Sequence, residues 1–260
     1  MTFITGGSGG LGKSSTARAL AHALGQAGYR TVLVDGNPGQ QSQRVFLRLD
    51  DAHGLEYATL ADLKRTLVMP DRTLVMPDRT HAAFAFLPGP GPAAGPDITG
   101  LYGNALIALR SAADMIVVDA DRVDPTLWDD RTVFAGGVMR PFVEHGNARI
   151  IFRIGQSGSQ LDDGLAALDA IRRPDQVLAV GVAGPTVRAR SPREWSRMVE
   201  GLAMFAGVDH WDRDSAALVE AGRPGWARGR EPEWLRSCML FAGAGRDRLV
   251  SGRRIWPWTR

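Results

Sequence analysis

The stretch that decides the fold is "FITGGSGGLGKSSTARAL", residues 3–20. A short apolar run, "TFIT" (2–5), meets a glycine-rich loop, and the segment from Gly7 to Ser14 fits G-x-x-x-x-G-K-[ST]. Such a loop holds phosphate because several backbone N–H groups at a helix N-terminus point at one anion. Glycines let the chain approach closely, a lysine neutralises the β/γ-phosphates, and the Ser/Thr hydroxyl ligates Mg²⁺. The binding residues are therefore Gly7, Ser8, Gly9, Gly10, Leu11, Gly12, Lys13, Ser14 and Ser15, with Lys13 the catalytic cation and Ser14 a metal ligand. ATP and Mg²⁺ are the expected cofactors.

The flanking pattern supplies the context that such a loop needs. From Ser14 to Ala27 the apolar residues Ala17, Leu20, Ala21 and Leu24 recur at helical spacing, and Gly28 stands where a helix stops. "RTVLVD" (30–35) then reads as the next strand. Further strands are expected at "AAFAFLPG" (82–89), "DMIVVDA" (114–120), "ARIIFRI" (148–154) and "QVLAVGVA" (176–183). Helices are expected at "LYGNALIALRSA" (101–112), around Val133 to Val143, at "LDDGLAALDAI" (161–171) and at "PREWSRMVEGLAMFAG" (192–207). Apolar strands alternating with helices imply an α/β fold of P-loop NTPase type: a mostly parallel, twisted sheet with helices on both faces. In such a sheet, acids at strand C-termini face the ligand crevice. Asp35 and Asp119 end two of the strands and are the expected partners of Ser14 at the metal.

Composition narrows the class. The chain has 260 residues, 44% of them apolar, and a single cysteine, Cys238, so neither an intrachain disulfide nor a cysteine-built zinc cluster is expected. No run of about eighteen apolar residues occurs, which argues against a spanning helix. The start of the chain lacks a basic segment before its apolar run, which argues against a secretory signal. A cytoplasmic location follows, with nucleoid association if DNA is bound. From Ala221 to Arg260 nine arginines face three acids, a local charge of +6, while the whole chain is +3. A basic tail on a slightly acidic body suits an anionic partner. Tryptophans 226, 234, 256 and 258 are interleaved with these arginines. They suit stacking on bases, a lipid interface, or packing on the domain. Arg246, Arg248, Arg253 and Arg254 are the candidate DNA contacts, through duplex phosphates and without sequence preference. Pro257 and Gly252 argue against an amphipathic membrane helix. A perfect tandem repeat, "TLVMPDR" at 66–72 and 73–79, is expected to be a surface-loop duplication, since Pro70 and Pro77 break helices.

Three segments resemble the ParA/MinD family of deviant Walker A ATPases: "GGLGKSS" (9–15), "VLVDGNPGQQ" (32–41) and "DMIVVDAD" (114–121). The resemblance implies an ATP-dependent homodimeric switch of the kind that segregates plasmids and chromosomes or positions division proteins, acting with a partner protein. The family's signature lysine falls on Ser8, and the second acid of its D-x-D-P segment falls on Asn37. Ser8 is too short and neutral to carry charge across a dimer. Asn37 orients a water but takes no proton from it. Loss of a cationic donor is expensive in phosphoryl transfer, so hydrolysis is expected to be slow or absent. Asp121 is a candidate replacement carboxylate, and Arg44, Arg122 and Arg153 are candidate replacement cations. Two alternatives stand beside the switch: a P-loop small-molecule kinase or ligase of the dethiobiotin-synthetase type, and a catalytically degenerate scaffold. The expected domains are a nucleotide-binding domain over 1–207 and a basic C-terminal extension over 208–260.

Overall fold

The computed structural model describes residues 1–47, 49, 54–58, 63–69, 82–91, 94–184, 188–210, 213, 217 and 231–250. Its strands are β1 (Thr2–Gly6), β2 (Thr31–Gly36), β3 (Ala85–Leu87), β4 (Met115–Ala120), β5 (Arg149–Gly155), β6 (Val177–Ala183) and β7 (Met204–His210). They form one sheet in the order β3-β2-β4-β1-β5-β6-β7, and the pairs between neighbours run parallel. This is the expected fold class. The first strand is near the centre, so the loop that follows it emerges in the middle of the sheet's C-terminal edge.

Alternation along the strands divides the core into two. Phe3, Val32 and Val34 face one cluster, while Ile4 and Leu33 face the other. The first cluster is closed by α4 (Ile98–Ala112), α6 (Arg140–Glu144), α7 (Gly158–Ile171) and α8 (Pro192–Met198). The second is closed by α1 (Lys13–Gln26) and α9 (Glu233–Phe241), the latter contributing Trp234, Leu235, Cys238 and Met239. Burial pushes the Cys238 thiol up to about 12, so the cysteine behaves as a core residue. Helix starts follow capping chemistry. Asp97 accepts from Gly100 N–H at the start of α4, and Ser191 and Glu194 form a reciprocal capping box at α8.

Two segments differ from the sequence pattern. The helix expected over 192–207 ends at Met198, Gly201 turns the chain at φ 77°, and residues 204–210 become β7. Pairing to β6 overrides the helical spacing of the apolar residues there. The register slips between Ala179 and Val180, where Phe205 and Gly207 are the successive partners, and Gly207 takes φ 129° at this irregularity. The sheet thus continues past residue 207, where the sequence placed the end of the alternating part. The helix expected near 133–143 begins as a π-turn, Phe134–Met139, before α6. Trp234 packs into the core and is not offered to a base. Trp226, Trp256 and Trp258, and the repeat beyond Met69, lie outside the described residues.

Trp195 fixes α8 on the sheet. It is fully buried, it stacks on Phe205, and its ring occupies the space a side chain at Gly181 would need, 2.7 Å from an ideal Cβ there. Trp195→Ala should lower stability by about 3–5 kcal/mol, the range for deleting a large buried aromatic. Urea unfolding followed by far-UV circular dichroism would measure it.

Candidate nucleotide site

The loop between β1 and α1 has the backbone that its sequence demands. Gly10 and Gly12 both take φ 71°, a left-handed conformation that side chains disfavour, and Gly12 is the N-cap of α1. Gly7 meets α7 backbone to backbone: a Cβ on it would lie 2.7 Å from Gly164 N and 2.8 Å from Asp163 C. The loop is thereby wedged between its own helix and α7. Ser8 donates its hydroxyl to Asp163 Oδ2 at 3.1 Å, and Lys13 Nζ donates to the Ser8 carbonyl at 2.9 Å, folding over the loop. Burial lowers the Lys13 pKa. Asp121 and Asp119 oppose that shift, and Arg122 and Arg153 reinforce it.

Asp35 and Asp119 are direct neighbours in the register of β2 and β4, and both are buried. Burial, then the charge of Asp119, raises Asp35 to about 7. Asp119 is raised by burial as well, against the hydrogen bonds that Gln43 and Ser14 give it. Asp35 Oδ2 has no partner among the described residues. With the Ser14 hydroxyl the two carboxylates form a set of hard oxygen donors, one of them buried and unsatisfied. That chemistry fits a small divalent cation which takes its remaining ligands from phosphate and water. Three or more His, Cys, Asp or Glu residues do not gather into a metal cage among the described residues.

Sequence reasoning missed the residues that hold this pair in place. α2 (Ser42–Phe46) lays Gln43 into the core, where its amide nitrogen donates to Asp119 Oδ2 at 2.6 Å and to the Ser14 carbonyl at 3.0 Å. Arg18 on α1 donates to Gln43 Oε1 at 2.9 Å and covers the Phe46 ring. Burial lowers the Arg18 pKa to about 10, so it stays charged at neutral pH. Ser42 donates to Ser14 Oγ at 3.0 Å. The signal was present in "GQQSQR" (39–44), a polar run after an acid-ended strand, but nothing in it singles out Gln43. Asn37 is buried beside Asp35, its N–H 3.4 Å from Asp35 Oδ1 and its amide near Gln40. Asp121 is exposed, and its carbonyl accepts from the Thr5 hydroxyl.

The three candidate arginines separate clearly. Arg44 donates to the Gly89 carbonyl. Arg153 is 3% exposed and lies under the loop, donating to the Leu11 carbonyl at 2.8 Å and to Asp209 Oδ2 at 2.7 Å, with the Trp234 ring beside it. Arg122 is exposed, on the segment whose Val123 N–H donates to the Gly6 carbonyl. The DNA candidates are not at this site. Arg246 and Arg248 lie on α10 (Arg246–Val250), where Arg248 covers the Tyr29 ring beyond the far end of α1, and Arg253 and Arg254 lie outside the described residues.

A family model for the CobQ/CobB/MinD/ParA nucleotide binding domain matches residues 2–180. The chain belongs to that family. Its fold is that of a ParA family ATPase from Chlorobium tepidum TLS, with 13% identity over 93% of this chain and 97% of that one and a TM-score of 0.66. It is also that of MinD complexed with Mg-ADP from Pyrococcus horikoshii OT3, with 16% identity over 93% of each chain and a TM-score of 0.62. The Aquifex aeolicus MinC:MinD cell division complex is similar at 16% identity over 93% of each chain, with a TM-score of 0.59. No curated protein matches. No helix among the described residues is long and apolar enough to cross a membrane.

The buried carboxylates give the ligand-free protein a defined pH response. Unfolded, Asp35 loses its proton near 3.8; folded, it keeps it to about 7. Between those values the folded state binds more protons, so raising the pH destabilises it, by up to about 1.4 kcal/mol per pH unit per proton. Thermal melts without nucleotide or metal should fall from about pH 4 to about pH 7, and Asp35→Asn should flatten the decline.

Proposed function

We propose that this protein is a ParA/MinD-like nucleotide switch that binds ATP with Mg²⁺, dimerises in that state and turns ATP over slowly or not at all. The observation that carries the reading is the convergence of Lys13, Ser14, Asp35 and Asp119 on one loop in a chain of the nucleotide-binding family. Backbone N–H groups of the loop and Lys13 bind the phosphates; Ser14, Asp35 and Asp119 would hold the Mg²⁺. A bound Mg²⁺ supplies charge neutralisation at the phosphates and orders their oxygens. Asp35 and Asp119, whose ionisation burial opposes, would both be ionised against such an ion.

Slow turnover rests on what surrounds that centre. Ser8 stands where the family's signature lysine is expected and is engaged with Asp163. Asn37 stands where a second acid is expected; it orients a water through its amide without taking the proton. Asp121, exposed two residues beyond Asp119, is the carboxylate available to assist. DNA binding through the basic C-terminal residues is part of the proposal. Arg246 and Arg248, at the end of the molecule opposite the phosphate loop, would leave DNA and nucleotide unobstructed by one another. The partner protein is of the class that the MinC:MinD complex exemplifies.

Lys13→Ala should abolish ATP·Mg²⁺ binding in calorimetry, since the loop loses its lysine. Wild type should shift from monomer to dimer on adding ATP in sedimentation velocity. A monomer that binds ATP and phosphorylates or ligates a small molecule would replace the switch by an enzyme reading. Ser8→Lys should strengthen the ATP dimer while hydrolysis stays slow. Combined with Asn37→Asp it should raise turnover beyond the sum of the single changes, as expected of groups acting together. Steady-state phosphate release measures this, and fast release by the wild type defeats the slow-turnover reading.

A further inference from the structure

We propose that Arg122 is an anion-binding residue of this site, contacting the terminal phosphate of the bound nucleotide and thereby favouring a triphosphate over a diphosphate. The proposal rests on the nucleotide reading above and concerns a residue that reading does not use. Arg122 follows β4 on a short segment stitched to the strand that feeds the phosphate loop. On one side the Thr5 hydroxyl donates to the Asp121 carbonyl; on the other, Val123 N–H donates to the Gly6 carbonyl at 3.0 Å. Asp121 Oδ1 accepts from Arg122 N–H at 2.7 Å, closing a local turn. The backbone of Arg122 is thus fixed between two bonds to the residues immediately before Gly7.

Its side chain, by contrast, is uncommitted. It is exposed, and its guanidinium has neither a hydrogen bond nor an ion pair among the described residues. Three other arginines at this edge are already engaged. Arg44 is on the Gly89 carbonyl, Arg153 on Leu11 and Asp209, and Arg190 on the Gln156 carbonyl at 2.6 Å. Arg122 is also close enough to oppose the charge of Lys13. Two like charges brought to the rim of one anion-binding loop repel each other until an anion lies between them. A guanidinium there offers paired donors matched to phosphate oxygens, which an ammonium does not. The loop backbone and Lys13 serve the phosphates nearer the nucleoside. The placement of Arg122, between residues bonded to Thr5 and Gly6 where the loop begins, suits the phosphate that projects furthest.

The test is equilibrium binding of AMPPNP and of ADP, each with Mg²⁺, to wild type, Arg122→Ala and Arg122→Lys, with circular dichroism to establish that each variant is folded. Arg122→Ala should lose roughly 10- to 100-fold in AMPPNP affinity, the worth of one charge-assisted hydrogen-bonding group. Its ADP affinity should change by less than about 2-fold on the same reasoning, and Arg122→Lys should recover part of the loss. Equal losses for the two nucleotides, or no loss for either, would overturn the assignment while leaving the nucleotide site standing. A wild type that binds neither nucleotide would bring down the nucleotide reading itself, and this proposal with it.

Discussion

Two carboxylates buried side by side set the terms for everything around them. Asp35 and Asp119 are register neighbours on adjacent parallel strands, both turned into the protein at the edge where the phosphate loop begins. Without a counter-charge such a pair is unfavourable, because burial and mutual repulsion both oppose ionisation. The structure answers partly. Gln43 donates to Asp119 and is itself held by Arg18, whose cation lies behind it. Asp35 receives only weaker backbone help and keeps one oxygen without a partner among the described residues. The pair is therefore held well enough to fold, with an unsatisfied oxygen of the kind a divalent cation would take.

Much of this was legible in the sequence, and the physical reasons are specific. The loop could be read because its glycines, lysine and serine are each required at their positions by backbone geometry or charge. The acid-ended strands could be read because a parallel sheet is apolar on both faces and polar only at its ends. The last strand was not legible: "MFAGVDH" (204–210) follows a helical segment with no proline between the two, and its extended form is decided by pairing with β6. Gln43 and Arg18 were not legible either. Their roles depend on a contact between residues 25 apart, and periodicity along one element carries no information about it. The same holds for Arg153, which the sequence offered as a replacement cation and which is engaged as a brace between Leu11 and Asp209.

That brace ties the phosphate loop to β7 and α9. Arg153 sits on β5 next to β1, grips the loop through the Leu11 carbonyl, reaches Asp209 at the end of β7 and stands against Trp234 of α9. A buried guanidinium is tolerable only with such partners. Its presence brings Trp234 of α9 into the packing beneath the phosphate loop.

The central place of β1 has a consequence for how the molecule assembles. β1 has β4 and β5 for neighbours, with Thr2 opposite Val117 on one side and Arg149 on the other. Neither edge of β1 can be satisfied until more than a hundred further residues exist, and closing such loops precedes any reward from the contacts. The segment carrying the phosphate loop is thus made before both of its partner strands and is among the last to be locked. During that interval an apolar strand with two open edges must be kept from pairing wrongly.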